Sequence, residues 1–431
     1  MRTQIFACCL LLFVSIAPAQ KLTRIEKKIV ATVSQNNTDA LQFLEKVVNI
    51  NSGTLNLKGV QKVGEVFGTA FTDIGFETNW IPMPEEMNRA GHLFAETKGS
   101  KGKKLLLVGH LDTVFEEDSP FQTFTMVTDS TAHAPGGNDM KGGDVIVLYA
   151  LKALRENGLL DDAQIIVAFT GDEESTGSPL ELSRKDLINA AKRSDIALGF
   201  ETSTGFNYAT VARRGSSGWE VNVTGKRAHS SGIFNERVGA GAIFEMSRIL
   251  HQFYTDVKGE DLLTFNPGVL LGGTFVNFDP KTGKGDAFGK TNVVSQTAMV
   301  KGGLRFISEE QKERARAKMR EIVGQNLPQT SSTVRFTDSY PAMQPTAGNK
   351  ELLKTLNTVS LALGQGEVVA YDPGKRGAAD VSFIAEYVDC LDGLGTMGTG
   401  AHTPEETVNL NTFEALTKRT AILIYRLINQ D

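Results

Sequence analysis

The chain reads as an α/β protein of two domains: a mostly parallel α/β/α main domain with a ferredoxin-like α+β domain inserted into it. Three observations support this. Short continuous apolar runs alternate with amphipathic helical stretches through the first half of the chain. Each of three such runs is followed at once by a histidine or an acid. The texture then changes near residue 213 and reverts after about residue 340. At 431 residues the chain is long enough for two domains. Its 41% apolar and 22% charged content is that of an ordinary globular protein.

The element that orders the rest is the run Leu105, Leu106, Leu107, Val108, preceded by Lys103 and Lys104 and closed by Gly109. A run this short, bounded this way, reads as a strand buried on both faces. It delivers His110 and Asp112 at its carboxyl end, where open α/β sheets bind ligands. Residues i and i+2 face the same way in extended chain, so Asp112 can reach the His110 ring.

Before that run, residues 39–48 show helical spacing behind an Asp39 cap, and residues 60–74 form a second amphipathic helix ending at Gly75. Residues 76–81 and 92–97 read as strands, with His92 structural. His133 reads as a loop-packing residue. Two glycine pairs bracket Asp139 at a loop-to-helix junction, more glycine than a cap requires. Residues 164–170 form another buried strand ending in Asp172, Glu173 and Glu174. Three adjacent acids at a strand end are costly unless solvated or neutralised by a cation. A third strand, residues 195–200, ends at Glu201.

From residue 213 to 333 the order β-α-β-β-α-β fits a ferredoxin-like insert. Its strands include residues 219–224, 268–278, 291–306 and 332–337, with helices at 238–254 and 308–324. Its edges are open to a second copy. His229 lies in a loop of this insert, Asn292 begins its last long strand and Arg305 ends it. After residue 334 the main domain resumes. Residues 374–380 form a polar turn, a glycine-rich loop carries His402, and Glu406 begins the final helix.

Arg2, the apolar residues 5–16 and the small-x-small site Ala17-Pro18-Ala19 read as a cleavable export signal over residues 1–19. The expected location is secreted or periplasmic, with no stable membrane anchor after cleavage. Cys8 and Cys9 leave with the signal, and Cys390 alone cannot form an internal disulfide. The net charge of −5 and the lack of a long basic block speak against a nucleic-acid partner.

The motifs Gly109-His-Leu-Asp-Thr-Val114, Asn138-Asp-Met-Lys-Gly-Gly143, Asp172-Glu-Glu174, Glu201, Gly225-Lys-Arg-Ala-His229 and Ala401-His402 resemble, in order, those of the M20 metallopeptidases, most closely the glutamate carboxypeptidase branch. The resemblance implies a catalytic domain at 20–212 and 334–431, with a lid and dimerisation domain at 213–333. It also implies two zinc ions per chain. His110, Glu201 and the bridging Asp139 would hold one, and His402, Glu174 and Asp139 the other. Glu173 would be the general base on a metal-bound water and Asp112 the partner of His110. His229 would reach the active site of the other subunit in a homodimer. Asn292 would assist there, Arg305 would grip a substrate carboxylate, and residues 377–380 would face substrate. A ligand set of imidazole and carboxylate without thiolate suits zinc, with cobalt or manganese as substitutes.

The expected activity is hydrolysis of an amide beside a free carboxylate in a small peptide or N-acyl amino acid. An N-acyl amino acid deacylase or dipeptidase is the alternative within the same chemistry. A non-catalytic metal- or peptide-binding protein predicts loss of Glu173 or of a ligand, and all of them are present. Ser295, Gly303 and the pair Ala378-Ala379 depart from the usual pattern of the family, at positions that bear on substrate contacts.

Overall fold

A computed structural model describes residues 21–430; the expected export signal lies outside the described residues. The central sheet has six strands in the order Glu77–Pro82, Gly91–Glu96, Ala163–Thr170, Lys101–His110, Ile196–Gly199 and Asp389–Leu391. Lys101–His110 pairs in parallel with Ala163–Thr170 on one side and with Ile196–Gly199 on the other. Asp389–Leu391 extends the parallel part, while Gly91–Glu96 joins antiparallel.

The continuous apolar run at 105–108 is explained by two cores. Leu105 and Leu107 pack into a cluster with the helices Arg24–Val48, Leu57–Asp73, Gly142–Glu156 and Leu410–Ile428. Leu106 and Val108 point into a second cluster, with Leu187, Ala190 and Ile384. Successive side chains of a strand alternate faces, so a strand covered on both sides must be apolar throughout.

The insert is a four-stranded antiparallel sheet in the order Thr264–Gly273, Thr297–Phe306, Gly215–Gly225 and Thr330–Asp338. This is the order of a ferredoxin-like unit. Trp219, Val221, Val300 and Leu304 meet Met246 and Met319 from the helices Ala242–Gln252 and Glu309–Gly324, which cover one face. Arg213 and Met343 exchange backbone hydrogen bonds, and Ser216 N–H donates to the Tyr340 carbonyl, where the chain enters and leaves the insert.

Several expectations are corrected. The first helix runs unbroken through Asp39 and is capped by Thr23, which exchanges hydrogen bonds with Glu26. The last insert strand continues to Asp338, so the insert closes after that residue and not at 333. The single strand expected at 268–278 is instead Thr264–Gly273 followed by a hairpin, Phe275–Asp279 with Lys284–Phe288. Asp279 makes the turn by accepting from Lys281 N–H and the Thr282 hydroxyl. The strand expected from 291 starts at Thr297, so Asn292 lies in the loop before it. The final helix starts at Leu410, capped by Asn409, and leaves Glu406 in the preceding loop. Among the described residues no helix is long and apolar enough to cross a membrane.

Candidate metal centre

Parallel neighbours end at the same edge of the sheet, which brings residues distant in sequence together. His110 ends its strand. Glu173 and Glu174 follow the strand Ala163–Thr170, and Glu201 follows Ile196–Gly199. Asp139 arrives from the turn before the helix Gly142–Glu156, joined to Met140 by a cis peptide bond. The glycines there admit a close approach: a Cβ on Gly143 would lie 2.1 Å from the Phe200 carbonyl oxygen. His402 sits in a left-handed conformation (φ 64°) in the loop between the short strands Gly398–Thr399 and Thr407–Asn409.

Two groups of potential metal ligands result, and they share Asp139. One is His110, Asp139 and Glu201; the other is Asp139, Glu174 and His402. His110 Nε2 is 3.4 Å from Asp139 Oδ1 and 3.7 Å from Glu201 Oε1. His402 Nε2 is 3.2 Å from Asp139 Oδ2 and 3.1 Å from Glu174 Oε2.

The supporting contacts hold these groups in place. His110 Nδ1 meets the Asp112 carbonyl oxygen at 3.0 Å, with the Asp112 carboxylate at 3.5 Å. That backbone oxygen leaves Nε2 turned toward Asp139 and Glu201. The Asp112 carboxylate works mainly elsewhere. It accepts the N–H groups of Glu173 and Glu174 and the Thr54 hydroxyl. The Tyr340 hydroxyl donates to the Glu173 carbonyl at 2.7 Å. Buried His92 accepts from Gly171 N–H, just ahead of the acidic turn. His133 lies edge-on to Phe121.

The electrostatics of the cluster follow from burial and from the closeness of its acids. Burial, then neighbouring Asp139, pushes Glu201 up to about 7. Burial also raises Glu174, and burial with Glu201 nearby raises Glu173 well above the usual range. Contacts with Asp139 and Glu174 push His402 up to about 11. Burial opposes charge on Asp139, but His110 and His402 outweigh it and hold that carboxyl low. His110 Nε2 and Glu174 Oε1 are buried without a hydrogen-bond partner. Converging acids with raised affinity for protons, beside an unpartnered imidazole nitrogen, fit divalent cations.

The sequence profile of Peptidase family M20/M25/M40 matches residues 106–426. The chain belongs to this family. It is similar to carboxypeptidase G2 of Pseudomonas sp. (strain RS-16), 28% identical over 368 residues, which cover 84% of this chain and 83% of that protein. A probable succinyl-diaminopimelate desuccinylase of Staphylococcus aureus (strain MRSA252) is 28% identical over 176 residues, covering 39% of this chain and 41% of that one. The fold is similar to that of the aminopeptidase PepT from Bacillus cereus ATCC 10987, with TM-score 0.70, 18% identity and coverage of 91% and 99%. It is also similar to the M20 family metallo-carboxypeptidase Sso-CP2 from Sulfolobus solfataricus, with TM-score 0.63, 15% identity and coverage of 90% and 99%. This M20 chain is a metal-dependent peptidase or amidohydrolase.

The other residues expected at the site stand apart from the acids. His229 is exposed, with Nδ1 bonded to the Ser231 hydroxyl. Asn292 is next to it, its carbonyl accepting Ser230 N–H. Neither makes a hydrogen bond or ion pair to the acidic cluster among the described residues. Arg305 stands opposite Thr264 and Ser216, and burial and nearby Arg214 hold its guanidinium below the ordinary value. Asp380, expected to face substrate, is buried against Arg184 and Thr170. Arg184 also pairs with Asp172, which puts a buried ion triad under Glu173.

Sequence reasoning missed Glu406. Its carboxylate is buried and accepts the N–H groups of Asn138 and Asp139. Burial pushes it up to about 8. The available signal was an acid four positions after His402, in the same glycine-rich loop. Lys141 was also missed; it is buried with its ammonium on the Val47 and Ile50 carbonyls.

Proposed function

We propose that this chain is an exported di-zinc exopeptidase of the carboxypeptidase type, cutting the amide beside a free carboxylate in small peptides or N-acyl amino acids. The observation that carries the reading is the pair of ligand groups sharing Asp139, with Glu173 on the adjoining turn. Similarity to carboxypeptidase G2 over most of both chains supports the choice within the family.

Two zinc ions, or cobalt or manganese in their place, supply Lewis acidity and offset the charge of the converging carboxylates. Glu173 takes a proton from the attacking water and returns it to the leaving nitrogen. Its turn is fixed from both ends, by Asp112 on its N–H and Tyr340 on its carbonyl. Arg305 receives the substrate carboxylate. His229 and Asn292 of a second copy complete the site and stabilise the oxyanion, so the working unit is a homodimer. Residues 1–19 direct export and are then removed.

The test is hydrolysis of a panel of dipeptides and N-acyl amino acids by mature protein, with and without zinc, alongside Glu173→Ala. Zinc-dependent turnover that Glu173→Ala abolishes, at two metals per chain in both proteins, supports the reading. A panel led by N-acyl amino acids would favour the deacylase alternative, and no turnover of any amide would reject enzymatic function.

A further inference from the structure

The strand Glu77–Pro82 ends the central sheet. It pairs with Gly91–Glu96 on one side, and among the described residues no other segment bonds to its backbone. An open edge of this kind is a template for another extended chain.

A cavity lies on each face of this strand. One, of about 410 Å³, is bounded by the helix Leu57–Asp73 and has Trp80 and Leu93 in its wall. The other, of about 750 Å³, is bounded by the helix Lys185–Ala191 and has Ile81 and Phe94 in its wall. Trp80 and Leu93 belong to one hydrophobic cluster, and Ile81 and Phe94 to the cluster across the sheet, so the two cavities open on opposite faces. Both reach Thr78 and Asn79 of the edge strand itself. Successive side chains of a chain paired to this edge therefore enter the two cavities in turn.

The charges of the lining select the occupant. Glu65 and Asp73 line the smaller cavity, and Glu77, Glu96, Asp186 and Arg193 line the larger. Glu65, Glu77 and Glu96 are paired with Lys62, Lys98 and Arg193. Asp73 and Asp186, one in each cavity, carry no ion pair among the described residues. A lysine or arginine can lay its methylenes on the apolar wall and bring its charged head to such a carboxylate. A second copy of this chain would instead bring the same acids to the junction, where like charges repel.

We propose that the edge strand Glu77–Pro82 docks an extended polypeptide segment carrying two adjacent basic residues, one for each cavity. None of the candidate metal ligands lines either cavity, so the site stands independently of the catalytic reading.

The probe is a peptide acetylated and amidated at its ends, of sequence Val-Thr-Lys-Arg-Thr-Val, which offers no free carboxylate to an exopeptidase. The chain has two tryptophans, and Trp219 is 2% exposed in the core of the insert, so a change in emission on binding reports Trp80. Mature protein titrated with this peptide should give a saturable change below about 1 mM. The isomer Val-Lys-Thr-Arg-Thr-Val puts both basic side chains on one face and should bind about three-fold or more weakly. The double variant Asp73→Asn, Asp186→Asn should weaken the first peptide by a similar factor, and neither acid is buried, so the fold is kept. N-methylation at every second residue of the peptide, made in both frames, should abolish binding in at least one, because a ladder uses alternate residues. Absence of binding by wild type overturns the site. Equal binding of the two isomers, or full affinity in the double variant, overturns it as well, since plain attraction to an acidic surface would explain either.

Discussion

Glu406 Oε1 lies 3.1 Å from the backbone nitrogen of Asp139, so an acid in the His402 loop holds the carboxylate shared by both ligand groups. Glu406→Ala leaves the N–H groups of Asn138 and Asp139 without their acceptor, at a cost of about 1–3 kcal/mol. Urea denaturation of the metal-free protein measures that loss. Metal analysis should also show fewer than two ions retained. Glu406→Gln keeps an acceptor and should recover most of both.

The triad Asp172–Arg184–Asp380 is buried beneath the acidic turn. Arg184→Met strands two buried carboxylates. Removing one member of a buried ion pair costs about 3–5 kcal/mol. Thermal unfolding should show a large drop, and Arg184→Lys should restore only part of it, because the guanidinium serves both acids at once.

Glu26 of the first helix pairs with Arg426 of the last at 2.7 Å. Burial opposes charge on Glu26, but the hydrogen bonds and charge of Arg426 together with the bonds from Thr23 outweigh it and hold the carboxyl below its ordinary 4.5. The unfolded chain therefore binds the proton at higher pH than the folded one. The stability this pair contributes is complete above pH 4.5 and is lost as pH falls through the lower, folded value. Glu26→Gln should flatten that part of the acid limb in denaturation profiles taken from pH 6 downward, roughly the range where carboxylates titrate.

Subunit complementation tests the proposed homodimer. Glu173→Ala and His229→Ala proteins are each inactive on this reading. Mixed and allowed to exchange, they form heterodimers with one intact site, restoring about a quarter of wild-type turnover. Absence of recovery despite demonstrated exchange would place His229 outside the partner's site.

Cation binding should raise stability in proportion to occupancy. Zinc at about 100 times its dissociation constant adds about 2.7 kcal/mol for one site. A chelator should reverse the gain, and His402→Ala should halve the bound zinc. An unchanged melting temperature on zinc addition would contradict cation binding by the folded protein.

The fold was legible where pattern and burial coincide. The run at 105–108 is apolar because both faces of its strand are covered, and the six acids and histidines expected as ligands and base follow strand ends or glycine turns. The hairpin Phe275–Asp279 with Lys284–Phe288 was missed because its strands are largely exposed and carry little periodicity. Glu406 was misread because its partners are backbone groups more than 260 positions away, and such contacts leave no local pattern. Asp380 was expected to face substrate and Arg184 drew no reading; their pairing exists only once the chain returns from the insert.

Chain order gives the two ligand groups different histories. Every ligand of the first, His110, Asp139 and Glu201, precedes the insert, whereas the second waits for His402. A polypeptide emerging from the ribosome thus contains one complete ligand set long before the other. Premature termination after the insert yields a chain able to supply the first set and never the second. Because Asp139 belongs to both groups, the support that Glu406 gives its N–H also arrives only with the last part of the chain.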